Sequence, residues 1–521
     1  MLHNERLGNI EIYTLPVPGD WSVGYGTYTF SGRVFVCYKL PSDPADEQWT
    51  RMATLNDDGT DICNLFEGEI KWMPQSGGIR YMPFRDNRRM LLGDWIMECE
   101  PDMDSCRSTR IIPLEYPEGM REKSGFFRRW SEIIIAPDNV HMAWTQLDMG
   151  FSGGGNFLGE LVREKDKYTL RNVRSISDSS GIVPDENNPG CFKIGITRGG
   201  ELKQFTRGGR AVSEAGSCNR TGTIDSVEQD LDGYGVRRLT TSPGYEETTL
   251  ISEDGKLGIA MSTRFSPRTN FAAFGLLPRP LGILPTAPTV MSIYLYAVAG
   301  VRAFRKGNIG PILYEISHPD DCVDLHDPEE RWVYYSPMSW KPDSTRAMWN
   351  EKLRRNDPEA DKSRVQIAVL KDRKPTEMQP DAGVPENIPY AKDYPFDDGE
   401  AEMMLQMSGT LKFVGNGGGT AEVRRTPGEV FTAYTGFSDG KHRWTGTEHT
   451  QVGQGTLLYE ADVEMTGTDS GSMHLRAYFT SDGGMESPTK LSFDTWSDGK
   501  PATHGYAVYN GMVIRMEDML P

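Results

Sequence analysis

Residues 246–264, EETTLISEDGKLGIAMSTR, decide the fold. Thr, Leu and Ile fill a β-rich run up to Ile251, and Leu257 to Met261 form a second. Between them lie Asp254 and Gly255, a pair that supplies the positive φ of a tight hairpin turn. The same grammar, with the turn at Gly-Gly or Pro-Asp, recurs in residues 69–86 (EIKWMPQSGGIRYMPFRD, turning at Gly77-Gly78), 131–148 (SEIIIAPDNVHMAWTQLD) and 336–352 (SPMSWKPDSTRAMWNEK). A second kind of hairpin follows or precedes these in residues 49–66, 156–173 and 222–240. Four antiparallel strands per repeat, without heptads or long helical windows, predict an all-β chain folded as a β-propeller. Six blades are expected, or seven if the C-terminal part contributes one.

The segments SEDGKLGIAMSTR and KPDSTRAMWNE resemble the WD40-like repeat of TolB-type and prolyl-oligopeptidase-type propellers. That resemblance covers residues 20–370 and extends to the propeller of oligogalacturonate lyases. It implies a fold and no activity: the histidine set that holds the metal in the lyases does not superimpose on this chain's eight histidines. The domain reading is a propeller over 1–370, a proline-rich linker over 371–399, and a β-rich, sandwich-like region over 400–521. In the rival reading of the last region, one of its strands closes the propeller.

Composition limits the partners. The chain has 521 residues, with 74 acidic and 56 basic side chains and a net charge of −18. Without a Lys/Arg-rich block it lacks the positive face of a nucleic-acid binder, so nucleic acid is excluded as a partner. Residues 281–301 carry no charge, but Pro285 and Pro288 inside them argue against a spanning helix, so no transmembrane segment is expected. The start shows no secretory pattern, which favours the cytoplasm; a leader already removed would leave no trace. Seven cysteines without a CxxC pair read as free thiols, with Cys99 and Cys106 the one pair near enough in sequence to bridge.

Propeller geometry then assigns a functional face. First strands begin, and second strands end, at one mouth of the central channel. Aligning the repeats on their turns brings Glu69, Glu132, Glu246, Glu247, Thr248, Tyr335 and Pro337 to that mouth, with Arg85, Gln146, Arg264 and Asn350 at the second-strand ends. Converging carboxylates raise one another's pKa or recruit a cation, which suits acid/base or metal chemistry. Glu132, Glu247 and His326 are the candidate catalytic residues. Arg85, Gln146, Arg264, Tyr335 and Asn350 are the candidate polar contacts to substrate. Residues 316–332, ISHPDDCVDLHDPEERW, read as a loop at the same mouth, where positions 318–327 offer two imidazoles and four carboxylates. His318 and Asp321 are the first candidates there for a divalent metal ion such as Mn, Zn or Ca, against a solvated loop.

Gly150-Phe151-Ser152-Gly153-Gly154 matches the nucleophile-elbow pattern, but a strand rather than a helix follows it, so it reads as a loop. The insertion after Arg264 is expected to cover the mouth, with Phe274 and Leu277 as an apolar wall. The reading that follows is an enzyme (lyase, hydrolase or isomerase) acting on a small, partly hydrophobic molecule. The alternatives are a non-catalytic scaffold for protein or peptide partners and a carbohydrate-binding or carbohydrate-cleaving propeller, the last suggested by Trp444, Trp496 and the β-rich tail. The oligomeric state is not fixed by sequence.

Overall fold

A computed structural model describes residues 1–46, 48–71, 81–117, 129–147, 154–177, 182–195, 198–216, 225–241, 246–262, 276–281, 310–325, 332–353, 362–394, 409–426, 428–480 and 490–519. Among them, six antiparallel four-stranded units follow one another along the chain. Their first strands are Ser22–Tyr28, Tyr81–Pro83, Arg129–Ile135, Glu201–Thr206, Glu246–Ile251 and Trp332–Trp340. Each packs against the first strand of the next unit, and the sixth returns to the first, so the ring is closed and its first strands line a channel. The fold is a β-propeller. The N-terminus closes it: Gly8–Thr14 pairs antiparallel with Ser363–Leu370, Ile10 opposite Leu370, and supplies the sixth unit's outer strand. No strand of the C-terminal region takes that place.

A shared turn explains why these sequences make hairpins. In four units an aspartate accepts hydrogen bonds from the backbone two residues on, and the residue between adopts positive φ. Asp86 accepts from Arg88 N at 2.8 Å, Asp138 from Val140 N at 2.8 Å, Asp254 from Lys256 N at 3.2 Å and Asp343 from Thr345 N at 3.0 Å. Asn87, Asn139, Gly255 and Ser344 carry the positive φ. The turn of the second unit is therefore Asp86-Asn87, not the Gly77-Gly78 pair within residues 72–80, which lie outside the described residues. Residues 69–86 are not one hairpin. Cys63–Glu69 is the last strand of the first unit and Tyr81–Pro83 the first strand of the second.

The segment read as a linker is pinned across the turn side of the ring. Thr376 N donates to Asp343 O at 3.0 Å, Gln379 N to Glu253 O at 2.8 Å and Ala382 N to Gly208 O at 2.9 Å, in the sixth, fifth and fourth units in turn. Gly208 has a φ of 65°, and a Cβ there would stand 2.3 Å from Pro380 O, so glycine admits the passing chain. Lys392–Asp393 ends the run by pairing with Arg174 and Ser175 of the third unit.

The C-terminal region supplies nine strands of one eleven-stranded sheet. The sheet also takes in Ile182–Pro184 and Phe192–Ile194, which lie in sequence between the third and fourth units. Alternate residues of its long strands, among them Trp444, Tyr459, Val463, Met465, Met473 and Phe479, face one core, where Leu276, Leu277 and Leu281 of the fifth unit's insertion join them. Ala215 and Met261, at the second-strand ends of the fourth and fifth units, belong to the same core.

Candidate active site in the central channel

The first strands do not pair evenly with their neighbours. Register slips at Gly24 in the first unit, between Ser131 and Ile134 in the third, at Lys203 in the fourth, at Thr248 in the fifth and between Tyr335 and Ser339 in the sixth. A bulge re-aims the side chain that it leaves unpaired. In the third unit Glu132 occupies this position with a φ of 56°, a backbone conformation costly for a non-glycine residue and common at functional sites. Lys203 holds the equivalent place in the adjacent unit.

These two bulges meet. Lys203 Nζ lies 3.5 Å from Glu132 Oε2 and 3.0 Å from Glu201 Oε2, and the lysine side chain is only 1% exposed. The contact places an ammonium between two carboxylates where little water reaches it. Beside it, Glu214 is buried in the interface between the third and fourth units. Its carboxylate accepts Asn156 Nδ2 at 3.1 Å and Gly199 N at 3.4 Å, and Asn156 Oδ1 accepts the Thr145 hydroxyl at 3.0 Å. Burial raises the Glu214 carboxyl from the usual carboxylate range to about 7, against the lowering effect of these hydrogen bonds. A carboxyl that titrates near neutrality is suited to proton transfer.

Of the other residues expected at this mouth, Gln146 and Asn350 are buried on second strands. Asn350 is a clamp between units: its Oδ1 accepts Gly26 N at 2.8 Å and its Nδ2 donates to Gly26 O at 3.2 Å. Gly26 has no room for a Cβ, which would fall 2.9 Å from Val365. Glu247 and Tyr335 lie on the first strands of their units, opposite Met261 and Asn350. Glu246 accepts the Ser262 hydroxyl at 2.9 Å. Arg264, Phe274 and His326 lie outside the described residues, as do residues 148–153 with most of the Gly-Phe-Ser-Gly-Gly run.

Three placements differ from expectation. Arg85 is at the other end of the channel, because it belongs to the turn of its unit and not to a second-strand end. Leu277 walls no channel; it is buried in the core of the C-terminal sheet. His318 and Asp321 sit on His318–Asp324, the outermost strand of the fifth unit rather than a loop at the mouth. His318 is exposed there, and Asp321 accepts Asn4 Nδ2 at 2.7 Å and pairs with Arg6 Nε at 3.0 Å. Among the described residues, no group of three or more His, Cys, Asp or Glu side chains is arranged to hold a metal ion. Cys37, Cys63, Cys99, Cys106, Cys191 and Cys322 are unbridged. Trp444 is buried, with its indole donating to Pro278 O at 2.8 Å, so it offers no face for a sugar.

The turn end of the channel is different. All six units contribute to a cavity of about 110 Å³, walled by Phe30, Tyr81, Phe205, Leu250, Met338 and Trp340. Its charges are paired: Arg85 donates to Glu253 at 3.0 Å and to Gln379 O at 3.1 Å, with its guanidinium 5.4 Å from the Phe30 ring centre. Burial raises the Glu253 carboxyl, opposed by Arg85.

No protein-family model matches the chain, and no curated protein matches it. Several solved structures are similar over much of its length. A luciferin-regenerating enzyme is 11% identical at a TM-score of 0.36, covering 71% of this chain and 99% of that one. TolB from Acinetobacter baumannii is 12% identical at 0.31, covering 70% of this chain and 66% of that one. One of two prolyl endopeptidases is 11% identical at 0.29, covering 89% of this chain and 55% of that one. At such values the activities of these proteins do not transfer. Among the described residues, no helix is long and apolar enough to cross a membrane.

Proposed function

We propose that the protein is an enzyme acting by general acid/base chemistry on a small, partly hydrophobic organic molecule taken into the central channel. The observation that carries this reading is the lysine at 1% exposure between Glu132 and Glu201, built from bulges on neighbouring units. A charge group this desolvated is costly to maintain for stability alone, since apolar side chains of similar size serve as well or better. In this reading Glu132 accepts or returns the proton, Lys203 holds its carboxylate in place, and Glu214 supplies a second titrating carboxyl. The aromatic cavity beyond Gln204 and Phe205 receives the apolar body. The reaction class is hydrolysis, elimination or isomerisation.

The test is turnover by the purified protein on a panel of small esters, lactones and hydroxy acids, followed by pH-stat and product analysis. Glu132→Gln is expected to lower kcat by about 10²- to 10⁴-fold with the fold intact. Unchanged kcat in Glu132→Gln on a substrate that the protein turns over would refute the assignment.

A further inference from the structure

The insertion of the fifth unit sends residues 276–281, Leu-Leu-Pro-Arg-Pro-Leu, into the interior of the C-terminal sheet. Among the described residues this segment adds no strand to the sheet. It is held by side chains and by two of its own carbonyls. Arg279 Nε lies 2.9 Å from Glu448 Oε2, and both residues are buried to 1% exposure. Tyr434 donates to Glu448 Oε1 at 2.9 Å and Tyr459 to Oε2 at 2.8 Å, so two hydroxyls hold the carboxylate besides the guanidinium. Trp444 donates to Pro278 O at 2.8 Å, and Arg279 folds back onto Leu277 O at 3.2 Å. Leu277 packs so near Gly471 that a Cβ there would stand 2.7 Å from its Cδ1.

This is how a receptor holds a peptide. Pro278 and Pro280 fix φ and remove two backbone donors, which lowers the ordering cost of a short segment entering an apolar interior. Leucines fill the apolar space, and a single carboxylate with two tyrosine hydroxyls behind it reads the arginine. A buried ion pair is a poor source of stability but a strong discriminator, because an unmatched partner leaves Glu448 without its counter-charge. We propose that the interior of the C-terminal sheet is a guanidinium-recognition site whose ligands are arginine-bearing, proline-flanked apolar peptides, and that Arg279 occupies it as a tethered ligand. Tethering gives the internal segment a high effective concentration, so a free peptide competes poorly against it in the native chain.

The test uses the full chain and a synthetic capped peptide, acetyl-LLPRPL-amide, in calorimetric titrations. Arg279→Ala is expected to bind the peptide, with the wild-type chain binding at least about tenfold more weakly. A peptide with lysine in place of the arginine should bind Arg279→Ala at least about tenfold more weakly than the arginine peptide. Adding Glu448→Gln to Arg279→Ala should abolish binding. Arg279→Ala alone should lower Tm by roughly 10 °C, and saturating peptide should restore part of that loss. Leu281→Ala keeps the charged pair and only loosens the tether; it provides a second reading if Arg279→Ala does not fold, and should also gain peptide binding over wild type. Equal binding of the lysine and arginine peptides, or no gain of binding in Arg279→Ala and Leu281→Ala, would overturn the proposal.

Discussion

The two ends of the channel are built from the same six strands yet carry opposite chemistry. Near the strand starts, bulges turn Glu132 and Lys203 toward each other and pack charge where water is scarce. At the strand ends, pairing is regular and the turns follow, leaving aromatic and aliphatic walls with one ion pair at the edge. The register slips in five of the six first strands make the difference: in the third and fourth units each leaves a charged residue out of regular pairing. A propeller can thus keep its hairpins for stability and change its chemistry at a single layer.

The largest way to break this contrast is to remove the cation from the charged end. Lys203→Met takes the shared cation away from Glu132 and Glu201 and should cost about 3–5 kcal/mol in urea unfolding, with the deficit shrinking at low pH as the carboxylates protonate. A smaller effect of opposite sign is expected at Glu214. Its folded pKa, raised to about 7, lies above its ordinary carboxylate value, so its stabilising share is complete below that ordinary range and is lost as pH rises through about 7. Glu214→Gln should therefore flatten the pH dependence of stability and raise stability at pH 8 by up to about 3 kcal/mol, read from unfolding at pH 5 and pH 8. The smallest effect belongs to the apolar end. Phe30→Ala should raise KM about tenfold with kcat nearly unchanged, because it removes binding surface away from the reacting atoms.

The ring was legible in the sequence because its turns carry a local signal, an aspartate followed by a residue tolerant of positive φ. Where that signal had a competitor, reading slipped: Gly77-Gly78 displaced Asp86-Asn87 and carried Arg85 to the wrong end of the channel. Glu132 was found because its hairpin has the Pro-Asp-Asn turn. Lys203 was missed because the fourth unit turns through Arg207-Gly208-Gly209 and lacks the aspartate; aligning ELKQFTRGGRAV, residues 201–212, by its strand pattern would have set Lys203 beside Glu132. Pro319 made residues 318–324 read as a loop, yet proline is tolerated on an outermost strand. Most of the core that Leu277 joins, around residues such as Trp444 and Met473, lies more than 100 residues away in sequence, and no local pattern points to it.

The claim on which the rest depends is that two neighbouring bulges build one charged group. A double-mutant cycle of Glu132→Gln and Lys203→Met, read by urea unfolding at neutral pH, measures it directly. The account predicts a coupling of at least about 1.5 kcal/mol between the two positions. Additivity within about 0.5 kcal/mol would contradict it.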